Sequence, residues 1–212
     1  MLAPYRRLLT HRGVPQIITA ALLTRLGPPV LSLALLLAVL DQTGSYASAG
    51  LVLTSHALAL AGFAPLGGRL VDRVGPRRVL ASFLAGHALT YGMLLAGLAV
   101  QAPTWVLTIS AALLGATNPP ASAIIRGAWP RLVPSTSLTA AYAVDNVTNE
   151  LMFVIGPVLV SALQLVMSAH LVVAVAGAAV LMGTAFLLGS HTVRHAPPPT
   201  TLRDPRYLLR SS

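Results

Sequence analysis

An all-α integral membrane protein with six spans is the fold class that this sequence predicts, and three observations predict it. The chain is 55% hydrophobic and only 9% charged, against about 25% charged residues in soluble domains, and its mean hydropathy is +0.76. It divides into six apolar runs, each long enough to cross a bilayer as a helix, which takes about 20 residues. Its arginines gather in alternate connections between those runs.

Each element follows from the residues that bound it. Arg6, Arg7 and Arg12 precede an apolar run too long for a signal-peptide core, so Val14–Leu40 reads as an uncleaved first span. Asp41-Gln42-Thr43-Gly44 ends it. The second span covers Tyr46–Val71 and runs into a charged, glycine-punctuated turn, where Gly68 and Gly75 supply backbone freedom for the chain to stop and reverse. Pro76 is suited to open the third span, Arg77–Val100, because a first-turn residue has no obligatory N–H partner. After Gln101-Ala102-Pro103 comes the fourth, Thr104–Trp129, closed by Pro130 to Ser137. Leu138–Met167 forms the fifth, Ser168-Ala169-His170 the turn, and Leu171–Gly189 the sixth. Gly177 and Gly183 in that last span suit close helix packing.

Arginine placement orients the bundle. Arg25 lies within the first span, and Arg126 sits where the fourth approaches its end. The others belong to the N-terminus, the second and fourth loops and the tail, while the first, third and fifth loops have none. By the positive-inside rule both termini are cytoplasmic. The expected organisation is a cytoplasmic N-terminus (1–13), a transmembrane domain (14–189) and a cytoplasmic tail (190–212). From His191 the chain turns polar and proline-stiffened, with Pro197-Pro198-Pro199 and Arg203, Asp204, Arg206 and Arg210.

The same composition excludes other classes. A net charge of +9, carried by 14 arginines and no lysine, is too sparse and too interrupted by apolar runs for a nucleic-acid surface. With no cysteine there is no disulfide framework, thiol nucleophile or thiolate metal site. No metal-ligand cluster, nucleophile beside a base or phosphate-binding glycine loop stands in the sequence, so neither an enzyme nor a cofactor is expected.

The interior of the spans is not uniformly apolar. Gly27-Pro28-Pro29 in the first and Asn118-Pro119-Pro120 in the fourth each place proline inside a helix, which predicts kinks or breaks. Both fall about 20–25 Å from the start of their helices at the α-helical rise. Since the two spans run oppositely, the sites relate by an inverted repeat of spans one to three onto four to six, a pointer to a solute path. In the fifth span Tyr142, Asp145, Asn146, Asn149 and Glu150 stand at i, i+3, i+4, i+7 and i+8, one helical face. Two carboxylates there are costly against lipid and must face protein or water. Glu150 and Arg25 lie at similar depth, which predicts an Arg25–Glu150 pair or a shared wet cavity. The acids then serve either as proton or solute-charge carriers or as a static clamp. His56 and His87 lie within the second and third spans, as proton relays or as plain interhelical hydrogen-bond donors. Arg126 is explained by snorkelling to the interface.

The turn Gly68-Arg69-Leu70-Val71-Asp72-Arg73-Val74-Gly75-Pro76-Arg77-Arg78 resembles the loop between the second and third helices of the major facilitator superfamily. That signature reads Gly, three residues, acidic, basic, any, Gly, any, basic, basic. Gly68, Asp72, Arg73, Gly75, Arg77 and Arg78 meet every position. The resemblance implies the N-terminal six-helix half of such a transporter, built as two inverted three-helix repeats. It implies a cytoplasmic gate in which Asp72 meets the positive N-terminal end of a helix in the opposite half. Arg73 and Arg77 would add ion pairs that break on opening. It further implies that helices one and four line the cavity, two and five face the other half, and three and six face outward. Antiporters of the family carry Gly-x-x-x-Gly-Pro-x-x-Gly-Gly on helix five. Here Gly156-Pro157 is present, but Met152, Val160 and Ser161 replace the other three glycines, so only a partial match supports proton-coupled export. The arginine motif of drug antiporters on helix four is not recognisable. The expected activity is secondary transport of a small organic solute across the plasma membrane. The alternative is a non-transporting membrane partner or a remnant lacking its C-terminal half. The chain would be a fragment, pair with a separate second half, or form a homodimer.

Overall fold

Helix ends follow the turn chemistry of the sequence, with informative departures. The computed structural model describes His11 and residues 13–194. The first helix, α1 (Val14–Thr43), closes on Gly44 in the left-handed conformation (φ 64°), whose N–H donates to the Leu40 carbonyl at 2.8 Å. Ser45 caps α2 (Tyr46–Val74) by accepting the Ser48 N–H through its hydroxyl. Gly75 (φ 95°) is the whole connection to α3 (Pro76–Ala99), and Pro76 opens that helix as expected. Gly68 does not stop α2: the helix continues six residues to Val74, because the arginines and Asp72 lie exposed along it.

The proline sites behave differently from one another. The fourth predicted span is two helices, α4 (Thr104–Ala116) and α5 (Ala121–Leu132), separated by Thr117-Asn118-Pro119-Pro120. The helical backbone runs on through Pro28-Pro29 in α1 and through Gly156-Pro157 in α6 (Leu138–Leu163), so neither proline site, each expected from its sequence as a possible interruption, breaks its helix. Residues preceding proline avoid helical geometry chiefly through clashes of their Cβ and N–H with the proline ring. Gly27 and Gly156 have no Cβ and stay helical, but Ala64 and Trp129 carry one and stay helical before Pro65 and Pro130, so the break at Asn118 does not follow from the Cβ alone. Beyond a 3-10 turn (Ser135–Ser137) and α6 come α7 (Ala169–Gly189) and a short turn, α8 (His191–Arg194). Val193 in α8 is buried, so the polar tail does not begin at His191. The remainder of that tail and the N-terminal arginines Arg6, Arg7 and Arg12 lie outside the described residues.

Five segments among the described residues are long and apolar enough to cross a membrane: Val14–Thr43, Tyr46–Val74, Pro76–Ala99, Ser135–Leu163 and Ala169–Gly189. The half-helices α4 and α5 are individually shorter.

Helix α1 is the axis of the bundle. It packs on α7 where Gly27 faces Val180 and Gly183 faces Leu23 and Thr24, positions where an added methyl would overlap the neighbour. It packs on α6 where Gly156 lies under Pro29. Helix α2 packs on α4 through Gly115, which lies against the backbone of His56 and Leu60. Helix α3 meets α7 where the Tyr91 ring covers Gly177 and the Tyr91 hydroxyl donates to the Val173 carbonyl at 3.0 Å.

Two apolar cores result. One gathers Val30, Leu35, Val52, Leu94, Leu107, Leu114, Val160 and Val172. The other gathers Val14, Ile17, Leu80, Ile125, Trp129, Ala141 and Leu187. The division shows that α1 and α6 run parallel, since the start of each lies in the second core and a later turn of each in the first. Between the cores, α1, α3, α6 and α7 each contribute a short stretch that belongs to neither, and the α4–α5 break lies there too.

Candidate functional site

The stretches between the cores carry the polar groups. On α1 they are Thr24 and Arg25, on α3 His87 and Thr90, at the α4–α5 break Thr117 and Asn118, on α6 Asp145, and on α7 Thr184. Several satisfy themselves locally. The Thr24 and Thr184 hydroxyls donate to carbonyls of their own helices, Ala20 at 2.8 Å and Val180 at 2.7 Å. The Thr90 and Thr117 hydroxyls share a hydrogen bond of 2.8 Å that ties α3 to the break.

The charged centre is different, because it joins three helices. Arg25 Nη2 lies 2.7 Å from Asp145 Oδ1, and Arg25 Nη1 donates to the Asp145 backbone carbonyl at 2.9 Å. Arg126 on α5 takes the other carboxylate oxygen, Nε to Oδ2 at 3.1 Å, and its Nη2 donates to Asn146 Oδ1 at 2.8 Å. Arg25 and Asp145 are 7% and 2% exposed. Burying charges is expensive unless they are paired and hydrogen-bonded, and both oxygens of Asp145 are engaged here. Beside the pair lies a cavity of about 100 Å³, lined by Arg25, Pro28, Asn118, Pro119, Ser122, Asn149, Phe153, Val180 and the two threonines among others. A second cavity, of about 180 Å³, lies across the break against Leu60, Phe63 and Gly67 of α2; Asn118, Pro119 and Ser122 line both.

The structure therefore joins Arg25, Asn118, Asp145 and Asn149 at one site and leaves others outside it. Arg25 pairs with Asp145, not with Glu150, which is exposed. Two geometric facts explain the correction. The buried residues of α6 (Ala141, Asp145, Met152, Gly156 and Val160) centre on the Asp145 edge of the polar stripe, and Glu150 lies about 140° around the helix from it. A long side chain in a helix also leans toward the N-terminus, so Arg25 reaches an acid below its own Cα level. His56 sits apart on α2, its Nδ1 3.2 Å from the Ala111 carbonyl, binding α2 to α4. His87 is buried with its ring edge-on to Tyr91. Of the glycine-arginine motif, Gly75 forms the turn, while Asp72, Arg73, Arg77 and Arg78 are exposed.

Arg126 is the residue that sequence reasoning missed. Its signal was available: the turn at Ser135–Ser137 lies midway between Arg126 and Asp145, so a helical hairpin brings the two to equal depth.

Comparison with known proteins agrees with this architecture. Residues 17–210 match the family described as Major Facilitator Superfamily. The chain is also 33% identical, over 161 residues, to an uncharacterized MFS-type transporter, y4rN, of Sinorhizobium fredii (strain NBRC 101917 / NGR234). That match covers 75% of this chain and 40% of the relative, so the chain spans less than half the relative's length. With apolar helices of spanning length and a match over nearly all of its residues, this multi-pass membrane chain belongs to the major facilitator superfamily of transporters.

Proposed function

We propose that this chain forms one six-span half of a secondary active transporter that moves a small organic solute across the plasma membrane. In this reading α4 and α5 cross together as one broken span, and both termini are cytoplasmic, as the alternating arginines favour. The observation that carries the reading is the Arg25–Asp145–Arg126 cluster beside a cavity at the helix break. Ionisable groups deep within membrane spans are costly and mark solute or ion pathways. Non-helical backbone at that depth is tolerated where it lines a cavity. Asp145 is the acid placed to exchange a guanidinium partner for a proton or a solute charge, which is the route for proton-coupled export. The Gly75 turn, with the exposed Asp72, Arg73, Arg77 and Arg78, serves as the cytoplasmic gate. A second six-span unit, a further half or a second copy, covers the exposed apolar residues of α2 and α6, among them Leu58, Phe63, Val147 and Val154.

Reconstitution of the chain into liposomes tests this, after native mass spectrometry has defined the assembled state. Liposomes loaded with mixed small acids, amines and neutral solutes are expected to lose or gain one class, faster under a pH gradient. Asp145→Asn should abolish that flux. Solute retention equal to protein-free liposomes, from a folded two-half assembly, would refute the reading.

A further inference from the structure

We propose that the cavity between α2 and the α4–α5 break receives an uncharged solute built of an apolar ring and one hydrogen-bonding group. The inference rests on the transporter reading and names the substrate class within it. This cavity is the larger of the two, about 180 Å³ against about 100 Å³. Small side chains make the room: Ala64 on α2, and Ala116 and Ala123 on either side of the break, line it where larger residues would fill it. Phe63 and Pro119 add apolar ring faces to the wall, surfaces on which a planar ring packs well.

Asn118 and Ser122 supply the polar part of the lining, and their hydrogen bonds are unmade. The Asn118 amide reaches only the Pro119 carbonyl, at 3.4 Å, which is long for an N–H donor. The Ser122 hydroxyl has no partner among the described residues. Asn118 is half-buried and Ser122 exposed, so a solute in the cavity can touch both. An amide within a membrane span is costly without a partner, and the two residues together offer both a donor and an acceptor.

Charge narrows the class. No charged side chain lines this cavity. In the neighbouring cavity Arg25, whose side chain is 5% exposed, is balanced by Asp145, while Arg126 is solvated. A charged solute would lose its water and meet no counter-charge, which is expensive. A neutral amide or hydroxyl gives up hydrogen bonds of the kind that Asn118 and Ser122 return. Both residues stand at the break, so the polar group of the solute lies there and its ring extends toward Phe63.

The test uses the full chain in nanodiscs of neutral phosphatidylcholine. Benzamide, its anionic isostere benzoate and cationic benzylammonium are titrated against the thermal unfolding midpoint, each variant being compared with its own unliganded midpoint. Benzamide is expected to raise the midpoint saturably, with the two ions at least about tenfold weaker. Ala123→Leu fills the cavity from an exposed position and should abolish the benzamide effect, whereas an effect of ligand dissolved in the bilayer would persist. Asn118→Ala should weaken benzamide about tenfold. If either variant does not fold, the other and the isostere comparison still decide. Three results would each overturn the proposal: an ion that binds as tightly as benzamide, a benzamide effect unchanged by Ala123→Leu, or no saturable benzamide effect. The last is the outcome if a side chain of the second six-span unit occupies the cavity. Benzamide that binds but never crosses a liposome membrane would leave the site standing and defeat the transporter reading. Flux of an acid or amine without benzamide binding would do the reverse.

Discussion

Asp145→Leu removes the carboxylate from Arg25 and leaves a guanidinium buried between helices. Taking one partner from a buried ion pair costs about 3–5 kcal/mol, most of it the penalty of the charge left behind. Here the Asp145 backbone carbonyl still accepts from Arg25 Nη1 at 2.9 Å, whatever side chain follows. The expected cost therefore falls at the lower end, about 3 kcal/mol. For a chain of this length, about 1 kcal/mol shifts the unfolding midpoint by roughly 2–4 °C, so the variant should melt about 6–12 °C lower. The double variant Arg25→Met/Asp145→Leu removes both charges and fills the space with apolar side chains. It should return to within about 1 kcal/mol of the parent, since apolar replacement of a buried pair is often neutral or stabilising. Thermal unfolding in nanodiscs, run as a double-mutant cycle, reads the coupling directly. A single-variant loss under about 2 °C, or a double variant that loses the sum of the two singles, would refute the assignment of this pair as a buried, mutually dependent unit.

Three further outcomes follow from the same geometry. Arg126→Gln should cost less than about 1 kcal/mol in the same melting assay, because its side chain is 59% exposed and solvated; a loss matching that of Asp145→Leu would mean that Arg126 is enclosed. Gly156→Val should destabilise by about 1–3 kcal/mol, because a Cβ there falls 2.7 Å from the Pro29 Cβ and must separate α1 from α6. An unchanged midpoint would show that the two helices do not meet at that point. Glu150→Gln should leave stability within about 0.5 kcal/mol, as expected of an exposed residue without an ion-pair partner among the described residues. If it stops solute flux while Asp145→Asn does not, the wrong acid has been placed on the pathway.

Most of the helical framework is legible from residue patterns, because spanning length, capping and turn chemistry act locally. Gly44, Ser45, Gly75 and Pro76 mark ends that need no tertiary information. The misreadings occur where one sequence motif has two local outcomes. Gly27-Pro28-Pro29 and Asn118-Pro119-Pro120 both carry paired prolines, yet only the second breaks its helix. What separates them is the set of neighbours that hold α1 in line, since Ala64-Pro65 and Trp129-Pro130 stay helical with no glycine before the proline. Gly27 fits against Val180, and Pro29 rests on Gly156, so α1 is braced on two sides through its proline site. Gly68 illustrates the converse: glycine permits a helix to end but does not require it, and α2 continues to Val74.

The exchange of Glu150 for Asp145 has the same origin at the level of the site. A polar stripe about 140° wide can present either edge to the bundle, and pattern alone does not say which. The choice falls to packing. Met152, Gly156 and Val160 lie on the Asp145 side of α6, and Gly156 must lie there because it is the residue that admits Pro29. Once that contact rotates α6, Asp145 faces Arg25 and Glu150 turns outward. The glycine-proline contact above thus sets the ion pair below it. It also sets the level of the cavity, since Arg25, Pro28, the α4–α5 break and Asn149 then share one layer between the two apolar cores. Charge, cavity and broken backbone fall at one level because a small residue on α6 accommodates a rigid one on α1.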